Sequence, residues 1–232
     1  MKGDTLQIKN IIKFKSSLTH TSKHFSKKQF SLYTKRLNDV NLTWCNQVLD
    51  FIETTFPTND KSIKDIGCNY FQFYKELKLR KSNLKYFGYD IDESFIKLGL
   101  TKFPELKRRY KIGNCENIKL LKTDFSVMSA ILEHSENPVK LLNNVISSTK
   151  KIVCIRTYLG IKSHIAIAKN FKNQMLPYNC NQFSFKMIED KLKKHGFKSF
   201  IILDKDTNNS TKFELVNKKY KRYLYVVFGI KN

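Results

Sequence analysis

Apolar residues along the chain recur at helical spacing in some stretches and in short runs in others, and the two patterns alternate from about residue 42 onward. Residues 42–52 place their apolar side chains on one helical face, which predicts a helix. Further helices are predicted over 70–79, 92–100, 137–146 and 185–195. Short apolar runs predict strands over 63–66, 86–89, 110–113, 125–130, 151–156, 200–203 and 223–228. This alternation predicts an α/β domain in which helices cover a largely parallel sheet.

Two stretches do not follow this alternation. Residues 1–40 are polar, rich in lysine and irregular in period, and we expect a loose basic arm that leads into a helix from about Ser31. Residues 160–182 show no clear pattern, and we expect them to form an insertion over the active site. The predicted organisation is an N-terminal arm and helix over 1–40, followed by one α/β domain over 41–232.

The most informative segment is the strand–turn–helix–strand unit within residues 62–99. Gly67 follows the first predicted strand, at a point where the backbone must turn sharply without a Cβ in the way. The second strand ends at Asp90. A glycine turn followed by an acid about 20 residues later is typical of a nucleotide-binding half-sheet, in which the acid accepts hydrogen bonds from the ribose hydroxyls.

The residues of the turn distinguish between two kinds of nucleotide ligand. A dinucleotide pyrophosphate needs a G-x-G-x-x-G turn so that it can approach bare amides at a helix N-terminus. Residues 67–72 contain a single glycine, and a pyrophosphate would meet Asn69 and Gln72 where small residues are needed. A ligand without phosphates has no such requirement, so the turn favours S-adenosylmethionine.

These residues resemble motifs I and II of the class I S-adenosylmethionine-dependent methyltransferases. Motif I of that family is usually Asp/Glu-x-Gly-x-Gly-x-Gly. The chain keeps its acid as Asp65 and its first glycine as Gly67, while Asn69 and Phe71 stand in place of the second and third glycines. Because asparagine tolerates left-handed backbone geometry, we expect Asn69 to have a positive φ or to bond local backbone through its side chain.

The resemblance continues from about residue 45 to the C-terminus. Residues 113–116 are similar to the loop after the third strand, which brackets adenine in that family, and residues 124–134 to the fourth strand with its Leu-Glu-His ending. Residues 185–197 are similar to the helix and Gly-Phe turn before the sixth strand. The resemblance implies a three-layer, Rossmann-like, seven-stranded sheet with helices on both faces and an antiparallel last strand, and makes 41–232 a methyltransferase domain.

The resemblance also implies a cofactor and the residues that bind it. The expected cofactor is S-adenosyl-L-methionine, with Asp90 on its ribose. The cofactor-binding residues implied in this way are Asp65, Gly67, Cys68, Asn69, Asp90, Ile91, Asn114 and Cys115.

Three residues beyond the fourth and fifth strands are candidates for catalysis. His134 is a candidate general base or cofactor contact, although Glu133 and His134 could instead only order their loop. Arg156 and Tyr158 follow the fifth strand at the same edge of the sheet and are candidates for the acceptor pocket. Arg156 could bind an anionic or hydroxyl-rich acceptor through two-pronged bonding, or could form a structural ion pair with Glu133.

Three functions remain open at this point. The first is O- or N-methylation of a small molecule or of a glycan- or lipid-linked intermediate. The second is RNA methylation served by a lysine-rich surface, although the chain has no Asn/Asp-Pro-Pro-Tyr tetrad and no recognisable RNA module. The third is a non-catalytic scaffold that keeps the fold without the cofactor, which the replaced glycines motivate.

Composition and charge refine this interpretation only slightly. The net charge is +23, carried mainly by lysine, and residues 13–28 and 218–222 hold the densest basic clusters. Lys, Asn and Ile share A/T-rich codons, so base composition explains part of the excess, and nucleic acid is a possible but not a favoured partner. The five cysteines form no C-x-x-C, so we expect no metal site. No long apolar run or signal-peptide core is evident, and we expect a cytoplasmic protein.

Overall fold

The structure is a computed structural model that describes residues 27–39, 42–165, 167–168, 178–205, 213–214 and 221–231. Most of the predicted basic arm, the central part of the predicted insertion and residues 218–220 of the second basic cluster lie outside the described residues.

The described elements alternate between helix and strand in the predicted order. The helices are α1 Lys27–Asp39, α2 Thr43–Thr55, α3 Gln72–Leu79, α4 Glu93–Lys102, α5 Pro138–Ser147 and α6 Phe185–Lys194. The strands are β1 Ser62–Ile66, β2 Lys85–Asp90, β3 Tyr110–Ile112, β4 Thr123–Ser129, β5 Thr149–Gly160, β6 Ile167–Ala168, β7 Tyr178–Asn179, β8 Phe183–Ser184, β9 Lys198–Leu203, β10 Phe213–Glu214 and β11 Lys221–Ile230. Short 3₁₀ turns lie at Pro104–Leu106 and Leu132–His134.

The seven predicted strands correspond to β1–β5, β9 and β11. They lie in the order β3-β2-β1-β4-β5-β11-β9, and β1 to β5 pair in parallel. Strand β11 is antiparallel to both β5 and β9, as the resemblance implied. Strand β5 runs to Gly160, beyond its predicted end at residue 156, because its second half continues to pair with β11.

Apolar side chains cover the sheet on both faces. One buried cluster joins the sheet to α2, α3 and α4 and includes Leu37 from α1. The other joins the opposite face to α5 and α6. The predicted three-layer, Rossmann-like α/β architecture is therefore confirmed. Within the described part of the chain, none of the helices is both long enough and apolar enough to cross a membrane.

A fully buried lysine lies within this sheet. The Lys64 side chain in β1 donates from Nζ to the Ser148 carbonyl oxygen at 2.6 Å and to the hydroxyls of Thr123 at 3.0 Å and Thr149 at 3.2 Å. These three oxygens are neutral, and no carboxylate in the described part of the chain forms an ion pair with the ammonium. Burial lowers the pKa of Lys64 to about 7, because desolvation disfavours its charged form.

Stability should therefore rise with pH above neutrality. Between pH 7 and pH 9 the unfolded chain binds a proton at this lysine that the folded chain has largely lost. Raising the pH should thus stabilise the fold by up to about 1.4 kcal/mol per pH unit. Urea unfolding of wild type and Lys64→Met at pH 7, 8 and 9 measures this, and the rise should be absent in the variant.

The exposed Lys85 in neighbouring β2 provides the matched control. Lys85→Met should keep the wild-type rise. An equal rise in Lys64→Met and wild type would contradict the assignment of this dependence to Lys64.

Candidate functional site

A cavity of about 360 Å³ lies at the carboxyl ends of the parallel strands. Gly67 follows β1, Asp90 ends β2, Gly113 follows β3 and Ala130 follows β4, and all four line this cavity. Parallel strands bring these ends to one edge of the sheet, which is where open α/β sheets bind their ligands.

Two N-terminal helices complete the wall of the cavity. Tyr33 and Arg36 from α1 and Trp44 from α2 line it. The Tyr33 ring packs edge-on against the rings of Tyr70 and Phe95, at centroid distances of 6.0 and 5.2 Å. Sequence reasoning missed this part of the site because it set residues 1–40, with their helix predicted from about Ser31, apart from the α/β domain. Tyr33 and the buried Leu37, one turn apart in α1, were the available signal that this helix packs against the domain.

The turn after β1 keeps the backbone geometry of a three-glycine motif with only one glycine. Gly67 has φ 73°, Asn69 has φ 53° and Phe71 has φ 64°. The side-chain Oδ1 of Asn69 also accepts the backbone N–H of Tyr70 at 2.9 Å. Both features predicted for Asn69 are therefore confirmed.

The Phe71 side chain points away from the cavity. It is fully buried, and it occupies space left by two glycines. A Cβ at Gly88 would lie 3.2 Å from Cε1 of Phe71, and one at Gly99 would lie 2.5 Å from Cδ2. Burial of the ring compensates the left-handed backbone, whose cost is about 1–2 kcal/mol for a residue with a Cβ. The replaced third glycine thus leaves the cavity open.

Asp90 ties the turn after β1 to the end of β2. Its Oδ2 accepts the backbone N–H of Asn69 at 2.7 Å, and its Oδ1 accepts that of Asp92 at 2.8 Å. Burial raises the pKa of Asp90 to about 6, against the lowering effect of these backbone hydrogen bonds. Each carboxylate oxygen keeps a second lone pair for a ligand hydroxyl.

Two of the implied cofactor residues, Asp65 and Cys68, do not line the cavity. Oδ2 of Asp65 accepts the hydroxyl of Tyr86 at 2.9 Å, and burial raises the pKa of Asp65 to about 7. Cys68 is buried beside Gly88, where its Sγ would be 2.8 Å from an added Cβ. Both residues lie behind the turn, so their direct contact with a cofactor stays a prediction.

The remaining implied cofactor residues line the cavity from the loops after β2 and β3. These are Ile91, Asn114 and Cys115. Oδ1 of Asn114 accepts the backbone N–H of Glu116 at 2.9 Å, and burial raises the pKa of Cys115 to about 12. Oε1 of Glu116 accepts the hydroxyl of Ser135 at 2.6 Å, which connects this loop to the loop after β4. No group of three potential ligands among the described residues could hold a metal ion.

His134 also lines the cavity. Its Nδ1 lies 2.8 Å from the carbonyl oxygen of Asn179, and its ring centroid is 5.4 Å from that of Tyr178. The structure thus brings His134 to the same cavity as Asp90. Tyr158, two residues after Arg156 in β5, is half-buried and does not line the cavity.

Arg156 lines the cavity but is held by an aspartate that the sequence did not indicate. Its Nε donates to Oδ1 of Asp204 at 3.0 Å and its Nη2 to Oδ2 at 2.9 Å, while Nη1 donates to Oγ of Ser129 at 3.3 Å. The suggested pair with Glu133 is wrong, because Oε2 of Glu133 accepts the hydroxyl of Thr157 at 2.9 Å instead. The two-pronged bonding expected of an arginine is present, but its partner lies within the protein.

The two replaced glycines should respond differently when glycine is restored. Asn69→Gly removes both a left-handed residue with a Cβ and one hydrogen bond, so we expect it to change the free energy of unfolding by less than about 1 kcal/mol. Phe71→Gly empties a buried ring site and should destabilise by about 3–5 kcal/mol. Urea unfolding of both variants measures this, and similar costs at the two positions would contradict the described side-chain placement.

Comparisons with known proteins agree with this geometry at the level of the fold. No protein-family model and no curated protein matches the sequence. Magnesium protoporphyrin IX methyltransferase from Synechocystis, solved with bound S-adenosylhomocysteine, has a TM-score of 0.57 at 12% identity over 89% of this chain and 95% of its own. An S-adenosylmethionine-dependent methyltransferase from Clostridium acetobutylicum has 0.59 at 13% identity over 88% and 99%. Phosphoethanolamine N-methyltransferase 2 from Haemonchus contortus has 0.59 at 14% identity over 87% and 57%. The chain therefore has the fold of the Rossmann-like, class I S-adenosylmethionine-dependent methyltransferases.

Proposed function

We propose that the protein is an S-adenosylmethionine-dependent methyltransferase that acts on a small molecule or on a glycan- or lipid-linked intermediate. The observation that carries this proposal is the meeting of the Gly67–Asn69 turn and Asp90 in one cavity, with the carboxylate bonded directly to the turn. The fold shared with solved methyltransferases supports it, and two of those proteins act on a porphyrin and on phosphoethanolamine.

The residues of the cavity fit this cofactor. Asp90 would accept the ribose hydroxyls, and Ile91, Asn114 and Cys115 would border the adenine. The Gly67–Asn69 turn would face the amino acid tail. The carboxylate of that tail could pair with Arg36, which lines the cavity, is exposed and forms no ion pair with any described residue. When bound, the cofactor supplies a methyl group already activated by the sulfonium, so the protein needs mainly to orient the acceptor.

The geometry of the turn favours this function over a scaffold that has lost the cofactor. The scaffold alternative depends on the absence of two motif glycines. Asn69 and Phe71 nevertheless keep positive φ values, and the Phe71 ring is directed into the core. The substitutions therefore preserve the shape of the turn and leave the cavity accessible to a ligand.

At the acceptor end, Arg156 and His134 have different chemical capacities. The Arg156 guanidinium is already neutralised by Asp204. It can therefore orient an acceptor, but it contributes no uncompensated positive charge. Nη1 of Arg156 donates to Ser129, and the guanidinium carbon lies 5.4 Å from the centroid of the Trp44 ring. In the predicted role in acceptor binding, these two contacts would set the orientation of the guanidinium toward the acceptor. His134 is the candidate base for an acceptor that loses a proton.

RNA methylation is a second candidate that one observation favours. An open groove adjoins the cavity at Glu116 and is bordered by Lys119, Lys140 and Lys194. None of these lysines forms an ion pair with a described carboxylate, so the groove suits a phosphate backbone. A methylation assay that compares RNA with a small-molecule extract as acceptor would distinguish the two candidates.

Loss of Asp90 should weaken cofactor binding strongly. Asp90→Ala removes two hydrogen-bond acceptors for the ribose and releases the Asn69 amide, so we expect affinity for S-adenosylhomocysteine to fall by about 2–4 kcal/mol, as measured by calorimetry. The half-buried Asp124 lies near the opposite end of the sheet, where it accepts from Ser62. Asp124→Ala should bind as wild type does. Unchanged affinity in a folded Asp90→Ala protein would show that Asp90 does not bind the ribose.

Cofactor affinity should also depend on the ionisation of Asp90. The carboxylate accepts hydroxyls and the carboxylic acid does so less well, and the pKa of Asp90 without ligand is about 6. Affinity for S-adenosylhomocysteine should therefore be constant above pH 7 and fall below pH 6, by up to about tenfold per pH unit. Titrations from pH 7.5 to pH 5 measure this. A flat profile in wild type, or an equal fall in Asp90→Ala, would contradict it.

A further inference from the structure

A short segment at the end of the predicted insertion holds the loop that carries His134. This segment, Tyr178–Gln182, lies between β5 and α6, and all five of its residues are buried. It is anchored at its far end by the antiparallel bridge between His164 and Gln182 and by the pairing of β8 with β5. Its near end is held by the antiparallel pairing of β7 with β6, so its position next to His134 is set at both ends.

The segment forms hydrogen bonds with three consecutive residues of that loop, Glu133, His134 and Ser135. The backbone N–H of Asn181 donates to the Glu133 carbonyl oxygen at 2.7 Å. Nδ2 of Asn181 donates to the Ser135 carbonyl oxygen at 3.0 Å, and Nδ2 of Asn179 donates to the same oxygen at 3.3 Å. The imidazole of His134 lies between these contacts, with Nδ1 at 2.8 Å from the Asn179 carbonyl oxygen.

The contact with a backbone carbonyl determines the protonation of the ring. A carbonyl oxygen can only accept, so Nδ1 of His134 must carry the hydrogen. In the neutral ring the lone pair then resides on Nε2, which becomes the basic atom. Second-sphere contacts of this kind orient a histidine and select its tautomer in other active sites as well.

The buried side chain of Asn181 serves hydrogen bonding to the His134 loop rather than apolar packing. Its side chain is 1% exposed, and an amide at such a site is costly unless it is hydrogen-bonded. Its amide nitrogen donates to the carbonyl oxygen of Ser135, one residue after His134. Thus the side chain acts on the loop and does not itself touch the reacting atoms.

We propose that Asn181 is a positioning residue that holds His134 in the Nδ1–H tautomer, so that Nε2 takes a proton from a hydroxyl or N–H acceptor. This inference rests on the proposed methyltransferase function. In the reaction with a hydroxyl, the acceptor oxygen bonds to the methyl carbon as the carbon–sulfur bond breaks. The hydroxyl proton passes to Nε2, and the positive charge moves from sulfur to the imidazolium, which later releases the proton to water.

The test uses the tautomer, which can be read without knowing the acceptor. The ¹⁵N chemical shifts of the ring nitrogens are measured in the full-length protein, and the His134 signals are identified by their loss in His134→Gln. We expect Nδ1 protonated in wild type and a mixture of tautomers in Asn181→Ala. Asn144→Ala is the matched control, because Nδ2 of Asn144 also donates to two backbone carbonyls, those of Cys115 and Ile118, on the cofactor side.

The outcomes separate this inference from the proposed function. A wild-type His134 with its proton on Nε2, or an Asn181→Ala protein with unchanged tautomer, would overturn the inference. Failure of wild type to bind S-adenosylhomocysteine would instead overturn the proposed function, whatever the tautomer. With an acceptor in hand, Asn181→Ala should lower kcat about tenfold while KM stays within about twofold. A change in KM alone would contradict a positioning role.

Discussion

The hydrogen bond from the Asn69 amide to the Asp90 carboxylate is the contact on which the site depends most. It joins the turn after β1 to the end of β2, and the second carboxylate oxygen joins that end to the start of α4 through Asp92. The turn that would face the amino acid tail of the proposed cofactor and the turn that would border its adenine are thus held by one buried side chain. Because this carboxylate is charged and buried, it is far more favourable when bonded to amides than when left without partners.

The chain shows how a glycine-rich turn can be built with few glycines. Positive φ values are required at positions 67, 69 and 71. Asn69 meets the requirement by accepting the backbone N–H of Tyr70, whereas Phe71 meets it through burial in space that Gly88 and Gly99 leave free. The glycines that make room for the turn thus lie in the neighbouring strand β2 and helix α4. By residue identity such a chain matches the three-glycine motif poorly, although the backbone of its turn keeps the geometry of that motif.

Polar side chains connect the loops at the carboxyl edge of the sheet to one another. Glu116 connects the loop after β3 to Ser135 after β4, Asn144 reaches back to the loop after β3, and Asp204 clamps Arg156 in β5. Loops of this kind lack their own backbone pairing, so side chains must satisfy their amides and carbonyls. These connections would hold a cavity rigid enough to orient a cofactor and an acceptor.

The sequence by itself determined the order of helices and strands, the parallel core of the sheet, the turn at Gly67 and the acid at Asp90. Those features depend on periodicity and on short spacings, which local physics controls. Only the tertiary structure decided that α1 covers the cavity, that Lys64 is buried, that Arg156 pairs with Asp204 and that Asn179 and Asn181 hold the His134 loop. Arg156 and Asp204 are 48 residues apart, and His134 and Asn179 are 45 apart. No local pattern reports such pairs, because each exists only after the sheet has brought distant segments to the same edge.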